Sequence, residues 1–294
     1  MVSFEDRVAL LCLDHYNSLP KTGKPTNSQW TILSCIIEYN SLKDSLKVVS
    51  LGTGSKCLGR TQMSTKGDKI NDSHSEVIAR RGFIRYIYEE IMNKSTFLYD
   101  SEKNMFCKKD HISYHFFSTQ TPCGDASIFP KSDDLISTVG SEFITDKKRK
   151  GENIDVCSKK IKISDIYRTG AKCLEVSTVS DPKKPGAEYH VLGVIRTKPG
   201  RGDPTLSVSC SDKLSRWNIM GVQGALLSLI IDKPIYLESI IISKDSPMCL
   251  EALYRAVIGR WAAKELSINS LYKINLPKIL TTSDAFKFTH AKSS

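Results

Sequence analysis

Residues 71–92, with the sequence NDSHSEVIARRGFIRYIYEEIM, join a polar start to a long apolar repeat and decide the fold of the chain. From residue 74 onward, apolar residues recur every three or four positions, which predicts a helix over 74–92. Its predicted buried stripe consists of Val77, Ile78, Ile84, Ile87, Tyr88 and Ile91. The same register places two chemically versatile side chains, His74 and Glu76, in the first turn of this helix.

The start of this helix permits two interpretations. Ser73 and Glu76 match a capping box, in which a serine caps the helix and a glutamate three residues later bonds back to it. Alternatively, His74 and Glu76 point into one cavity near the helix N-terminus, where the helix dipole stabilises an anion. Position 74 would then hold a ligand, and position 76 would hold a group that moves protons.

A first thiol lies in Thr121-Pro-Cys-Gly124, directly after a predicted strand at 112–118. Because Pro122 is typical of the first residue of a helix, we expect Cys123 at a second helix N-terminus. There the dipole and the free amides lower the pKa of a thiol and favour the thiolate. Taken alone, a cysteine is more commonly a small buried hydrophobic residue, and that alternative stays open for Cys123.

Cys210 supplies a second thiol in a similar setting. It follows the alternating run 206–208 and precedes a predicted helix, so it also lies at a strand-to-helix turn. In cytidine-deaminase-like zinc enzymes the second cysteine often follows the first by three residues, where this chain has Ala126. One imidazole, two thiolates and a spare carboxylate form the set that a zinc-dependent base deaminase uses.

The rest of the chain alternates between predicted helices and strands, which is typical of a layered α/β domain. The other predicted helices span residues 4–19, 211–229 and 247–265. The predicted strands span residues 30–39, 47–51, 112–118 and 235–242, with two more near 173–179 and 189–196. Gly52 and Gly54 form either a loop that lets the backbone approach a ligand closely or a plain hairpin turn.

Residues 131–165 are polar and contain two basic clusters, Lys147-Lys-Arg-Lys150 and Lys159-Lys160. We interpret them as a flexible insertion. The clusters are a bipartite nuclear-import signal, an RNA-contacting arm or merely a solvated charged loop.

Composition restricts the class of protein further. The chain has 294 residues, 40% of them hydrophobic, which suffices for one large domain or two ordinary ones. Without a membrane-spanning run or a signal-peptide pattern, we expect an intracellular protein of the nucleus or cytoplasm. Nine cysteines without regular spacing fit a reducing compartment. A formal charge of +10 favours a polyanionic partner, and no feature indicates a protein partner.

The chain resembles the adenosine deaminases that act on RNA, and among them the enzymes that modify tRNA. The matching segments are LGTGSKC (51–57), NDSHSEVIARR (71–81), TPCGD (121–125), RTGAKC (168–173), KPGRGD (198–203) and SCSDKLSRWNIMGVQ (209–223). RTGAKC and KPGRGD favour the tRNA enzymes over editors of double-stranded RNA. The resemblance implies a cytidine-deaminase-like three-layer α/β/α sandwich with a central mixed sheet, formed by residues 1–294 as one deaminase domain.

The resemblance also implies a role for each site residue. His74, Cys123 and Cys210 would bind zinc, Glu76 would move protons during hydrolysis of adenosine to inosine, and Ser55 and Lys56 would contact the substrate. The implied substrate is adenosine 37 of alanine tRNA. The alternatives are another RNA, including double-stranded RNA, or a catalytically inactive RNA-binding short form.

A second implied cofactor is inositol hexakisphosphate. The matching positions are Asn71, Arg80, Arg81, Lys213, Arg216, Trp217 and Gln223. Cations that converge inside one domain are too costly to bury without anionic compensation, which a hexaphosphate would supply. Exposed charges on two amphipathic helices are the alternative. Because family members usually continue past the position of Ser294, we expect a truncated C-terminus and weaker retention of this phosphate.

Overall fold

A computed structural model describes residues 2–26, 28–130, 166–167, 171–174, 190–198, 203–262 and 271–283. The insertion predicted at 131–165 therefore lies wholly outside the described residues. The strands are β1 (Leu33–Asn40), β2 (Ser45–Thr53), β3 (Phe97–Asp100), β4 (Met105–Lys108), β5 (Ile112–Ser118), β6 (Phe129–Pro130), β7 (Ile166–Tyr167), β8 (Lys172–Cys173), β9 (Arg196–Thr197), β10 (Leu237–Ser243) and β11 (Lys278–Thr282).

Five of these strands form one mixed sheet in the order β11-β10-β5-β1-β2. Strand β1 pairs antiparallel with both β2 and β5, whereas β5 with β10 and β10 with β11 run parallel. The sequence did not predict β11, because its five residues find a place only through long-range pairing with β10. The strands predicted near 173–179 and 189–196 are represented in the described residues only by the two-residue strands β8 and β9.

Helices cover both faces of the sheet. Helix α1 (Phe4–Ser18) packs Val8 and Cys12 against Leu33 and Cys35 of β1. On the opposite face, Ile36 packs in a second core with residues of α2 (Ser75–Asn93) and α3 (Cys210–Met220). Side chains alternate between the two faces of a strand, so β1 contributes to both cores. The predicted three-layer α/β/α arrangement is confirmed.

Two of the predicted helices need correction. In α2 the predicted stripe is wrong at Tyr88, which is 38% exposed, because the buried face turns toward Ala79, Phe83 and Tyr86. The helix predicted at 211–229 ends at Met220, since Gly221 adopts a positive φ of 74° and breaks the helical path. Only a 3₁₀ turn, Leu227–Leu229, follows in that range.

The helix predicted at 247–265 is interrupted by a π-helical turn. Helix α4 (Leu250–Tyr254) continues through a π-helical turn, Arg255–Gly259, into α5 (Arg260–Ala262). We call this segment, residues 250–262, the π-turn helix. It packs Leu253 and Val257 into the same core as α2 and α3. None of the described helices combines the length and apolarity needed to cross a membrane.

Candidate metal centre

Three side chains from distant parts of the chain meet at one point. His74, Cys123 and Cys210 offer one nitrogen and two sulfurs that all lie within 4.8 Å of one another. The Nδ1 atom of His74 is 3.8 Å from the sulfur of Cys123 and 3.6 Å from that of Cys210. His74 is 5% exposed and Cys210 is 1% exposed, so the cluster lies inside the protein.

This cluster fits a tetrahedral zinc ion. With zinc–sulfur and zinc–nitrogen bonds of about 2.3 and 2.1 Å, a tetrahedron separates sulfur from nitrogen by about 3.6 Å. The two observed sulfur–nitrogen distances match that separation. The set of one imidazole and two thiols is also typical of zinc sites that leave a fourth position open for catalysis.

The loop before α2 fixes the position of His74. The backbone amide of His74 donates a hydrogen bond to Asp72 (3.1 Å), and His74 itself is the N-cap residue, without a side-chain cap bond. The capping-box interpretation of Ser73 and Glu76 is therefore wrong. Gly54, at a φ of 127°, lies so close to the chain that a Cβ would stand 2.4 Å from the carbonyl oxygen of Ser73. This glycine is needed because the loop packs directly on the start of α2.

The turn that carries Cys123 differs from the predicted helix start. Gly124 adopts a φ of 105°, and only a three-residue 3₁₀ turn, Asp125–Ser127, follows. Cys210, by contrast, is the first residue of α3 as predicted. A Cβ on Gly124 would lie 2.1 Å from the hydroxyl oxygen of Ser209, so the absence of a side chain lets the two cysteine segments touch.

The two thiols are directly coupled to each other. The backbone amide of Cys210 donates to the sulfur of Cys123 at 3.3 Å. A hydrogen bond from the Cys210 thiol, helped by His74 and Lys198, holds the pKa of Cys123 well below its usual range, against the effect of burial. Burial, with that same hydrogen bond, raises the pKa of Cys210.

Glu76 lies beside this cluster and is 2% exposed. One of its oxygens is 4.0 Å from Nδ1 of His74 and accepts a hydrogen bond from the hydroxyl of Ser75 at 3.2 Å. Ser75 in turn lies 2.7 Å from the hydroxyl of Ser34 on β1. A buried carboxylate with a single neutral donor among the described residues is well placed to exchange protons.

Sequence reasoning gave no role to Lys198, which lies at the centre of the site. Its side chain is fully buried and its amino group donates to the sulfur of Cys210 (2.9 Å) and to Asp72 (2.9 Å). Asp72 also accepts bonds from Lys213 and Ser207. Although burial would raise it, these cations hold the pKa of the Asp72 carboxyl well below its usual range. Only the tertiary structure could reveal this role, because lysines are seldom buried.

Four of the predicted phosphate ligands line one cavity of about 620 Å³, namely Arg80, Lys213, Arg216 and Trp217. The guanidinium of Arg80 lies 5.4 Å from the centre of the Trp217 ring, and burial together with the charge of Arg216 lowers the pKa of Arg80. The other three do not line the described cavity. Asn71 and Arg81 are exposed, and Gln223 bonds to Met220, Ser228 and Ile235.

The two predicted substrate residues lie on the loop between β2 and α2. Lys56 is exposed and Ser55 is partly exposed. The carbonyl oxygen of Lys56 accepts a bond from the amide of Ser73 at 2.9 Å, directly before the ligand His74. This bond links the loop that carries Lys56 to the start of α2.

Comparison with known proteins agrees with this chemistry. Residues 50–294 match the model of the adenosine-deaminase (editase) domain. The chain is 43% identical to tRNA-specific adenosine deaminase 1 of Drosophila melanogaster over 86% of its own length and 58% of that protein. It is 35% identical to the Homo sapiens protein of the same name, over 87% of this chain and 68% of the relative. Identity to the double-stranded RNA-specific adenosine deaminase of Mus musculus is 31%, over 81% of this chain.

Proposed function

The chain belongs to the adenosine-deaminase (editase) family, and we propose that it converts adenosine to inosine in tRNA by zinc-dependent hydrolysis. The observation that carries this proposal is the meeting of His74, Cys123 and Cys210 beside the buried carboxylate of Glu76. The higher identity to tRNA-specific than to double-stranded-RNA-specific relatives favours tRNA. We take adenosine 37 of alanine tRNA as the target, and a basic chain of +10 suits such a polyanion.

In this proposal the three ligand side chains would hold zinc, which when bound would lower the pKa of a water molecule and so supply the nucleophile. Glu76 would take one proton from the attacking water and pass it to the purine ring, and it would then carry the remaining hydroxyl proton to the amine, which departs as ammonia. The hydroxyl of Ser75 holds one oxygen of Glu76, which orients the carboxylate for this transfer. Lys198 places a positive charge against the sulfur of Cys210 and so stabilises it as a thiolate.

The substrate would enter over the loop that precedes α2. Lys56 would pair with a phosphate of the anticodon loop, and Ser55 would contact the flipped nucleotide near the metal. Bases in a single-stranded loop are already unpaired, so the site needs little energy to extract adenosine. The intracellular location stays a prediction.

The cavity beside α3 would hold a polyphosphate, for which we propose inositol hexakisphosphate. Arg80, Lys213 and Arg216 converge on it, and an anion would relieve their mutual repulsion. Added inositol hexakisphosphate should raise the melting temperature of the parent chain, because a ligand of the folded state stabilises it. The Arg216→Ala variant should respond less. An equal response of both proteins would show that the phosphate binds elsewhere.

The decisive experiment measures inosine in total tRNA after incubation with the purified full chain. Inosine in alanine tRNA at position 37 is the expected result. Editing of a long RNA duplex but not of tRNA would favour the double-stranded RNA alternative. Binding of tRNA without inosine formation by zinc-loaded protein would favour an inactive RNA-binding protein and refute the proposal.

A further inference from the structure

Each of the two cysteine ligands is followed, two residues later, by a buried aspartate. Asp125 follows Cys123 with a side chain that is fully buried, and Asp212 follows Cys210 with 5% exposure. Neither carboxylate is a member of the ligand cluster. Each is instead paired with an arginine. The Nε atom of Arg255 lies 3.0 Å from Asp125, and the guanidinium of Arg260 bonds to Asp212.

Both arginines belong to the π-turn helix, and its irregular turn aligns them. In an α-helix, residues five apart point about 140° away from each other, because one turn takes 3.6 residues. A π-helical turn closes bonds between residues five apart, so such residues lie nearly above one another. Here the amide of Arg260 donates to the carbonyl oxygen of Arg255. The π turn thus brings the two arginines to one side of a single helix.

The same two carboxylates also hold one other segment of chain. Asp125 accepts a hydrogen bond from the amide of Gly193 at 2.8 Å, and Asp212 accepts one from the amide of Arg196 at 3.0 Å. This segment continues to Lys198, whose amino group contacts the sulfur of Cys210. Each aspartate therefore joins its cysteine turn both to the π-turn helix and to the segment that carries the buried lysine.

The contacts of Arg255 extend beyond the carboxylate. Its guanidinium also donates to the carbonyl oxygens of Asp125 and Ile128, both at 2.9 Å. These bonds fix the short 3₁₀ turn after Cys123, which has no long helix of its own to hold it. Cys210 is supported by α3, and α3 is joined to the π-turn helix by a bond of 3.2 Å from Asn218 to the carbonyl oxygen of Val257.

We propose that the pairs Asp125–Arg255 and Asp212–Arg260 are positioning pairs that set the spacing of the Cys123 and Cys210 sulfurs. Through these pairs both cysteine turns are bonded to the π-turn helix. A site that holds its ligands at the correct spacing before metal arrives binds metal more tightly than one that must be ordered by it. This inference rests on the proposed metal centre, but not on the identity of the RNA substrate.

The test measures binding of Co²⁺, by its visible absorption, to metal-free full-length protein. Arg255→Gln and Arg260→Gln should each weaken Co²⁺ binding by about 10- to 100-fold, the usual effect of removing a residue that supports metal ligands. In the double variant the loss of Co²⁺ affinity should be smaller than the product of the two single losses. Once either pair is broken, the π-turn helix no longer sets the spacing of the two sulfurs, so breaking the other pair has less effect. If a glutamine variant fails to fold, Co²⁺ binding is measured instead with Arg255→Lys or Arg260→Lys, which keep the charge.

Two control variants separate this role from general stability. Arg7→Gln removes an exposed arginine–aspartate pair with Asp44, and Tyr86→Phe removes a buried hydrogen bond to Glu38, both outside the ligand cluster. Tyr86→Phe should lower the melting temperature of the metal-free protein, and both controls should bind Co²⁺ as the parent does. If the arginine variants also melt lower but bind Co²⁺ like the parent, the pairs only hold the fold together and the proposal is overturned. Because no RNA is involved, a parent that binds Co²⁺ but forms no inosine refutes the deaminase proposal alone.

Discussion

Two of the buried carboxylates near helix α2 have similar burial but very different partners. Glu76, in the first turn, is 2% exposed, lies beside the ligand cluster and accepts a bond from Ser75. Glu38, on β1 near the other end of the helix, is 8% exposed and accepts bonds from Tyr86 (2.7 Å) and Tyr114 (3.3 Å). Burial and Glu38 both raise the pKa of Tyr86, so this phenol stays protonated and keeps donating.

The cations near the two ends differ in burial as well as in partners. Lys198 is fully buried between Asp72 and Cys210, whereas Lys47 is 61% exposed and stands 4.0 Å from Glu90. A buried cation is held only where several anionic groups compensate for its lost hydration. A buried carboxylate is thus found near both ends of the helix, whereas of these two lysines only Lys198 is buried. What distinguishes the functional end is the convergence of thiols, imidazole and cation on one point.

The largest expected effect comes from exchanging each glutamate for glutamine. Glu76→Gln keeps the shape of the side chain but cannot carry a proton, so inosine formation should fall by about 10²- to 10⁴-fold. Zinc content should remain at one ion per chain. The matched variant Glu38→Gln should melt at a lower temperature and keep its activity. Comparable activity of the Glu76→Gln variant and the parent would remove Glu76 from the mechanism.

The two lysines provide the next comparison. Lys198→Met leaves Asp72 and Cys210 buried beside an apolar side chain, which should cost about 3 kcal/mol of stability. Zinc affinity should fall by about 10- to 100-fold, since the charge that supports the Cys210 thiolate is lost. Lys47→Met removes an exposed cation and should change stability by less than about 1 kcal/mol. Chemical unfolding and competition with a zinc chelator measure both effects, and equal behaviour of the two variants would contradict the comparison.

Sequence reasoning predicted the three side chains that the structure brings together, but not the residues that support them. His74, Cys123 and Cys210 stand out by residue type and by their neighbours, and two of them begin helices as predicted. The helix predicted after Cys123 does not form, because Gly124 turns the chain and Asp125 is bonded to Arg255, which is distant in sequence. Neither the burial of Lys198 nor the π turn leaves a local signal. Both depend on contacts between residues far apart in sequence.

The smallest expected effects come from removing one hydroxyl group at each carboxylate. Tyr86→Phe takes one of two donors from Glu38 and should cost about 1.5–3 kcal/mol of stability, the usual value for a hydrogen bond to a charged group. The rate of inosine formation should not change.

Ser75→Ala takes the donor from Glu76, while Ser34 keeps a second hydroxyl partner in Ser118. We therefore expect a stability change of only about 0.5–1.5 kcal/mol. The carboxylate would be less well oriented, so the rate should fall by up to about tenfold, which corresponds to about 1.4 kcal/mol of transition-state stabilisation. Thermal melting and single-turnover kinetics on tRNA separate the two effects. If Ser75→Ala loses stability but not rate, this hydroxyl serves the fold alone, and the two ends of α2 differ less than their partners suggest.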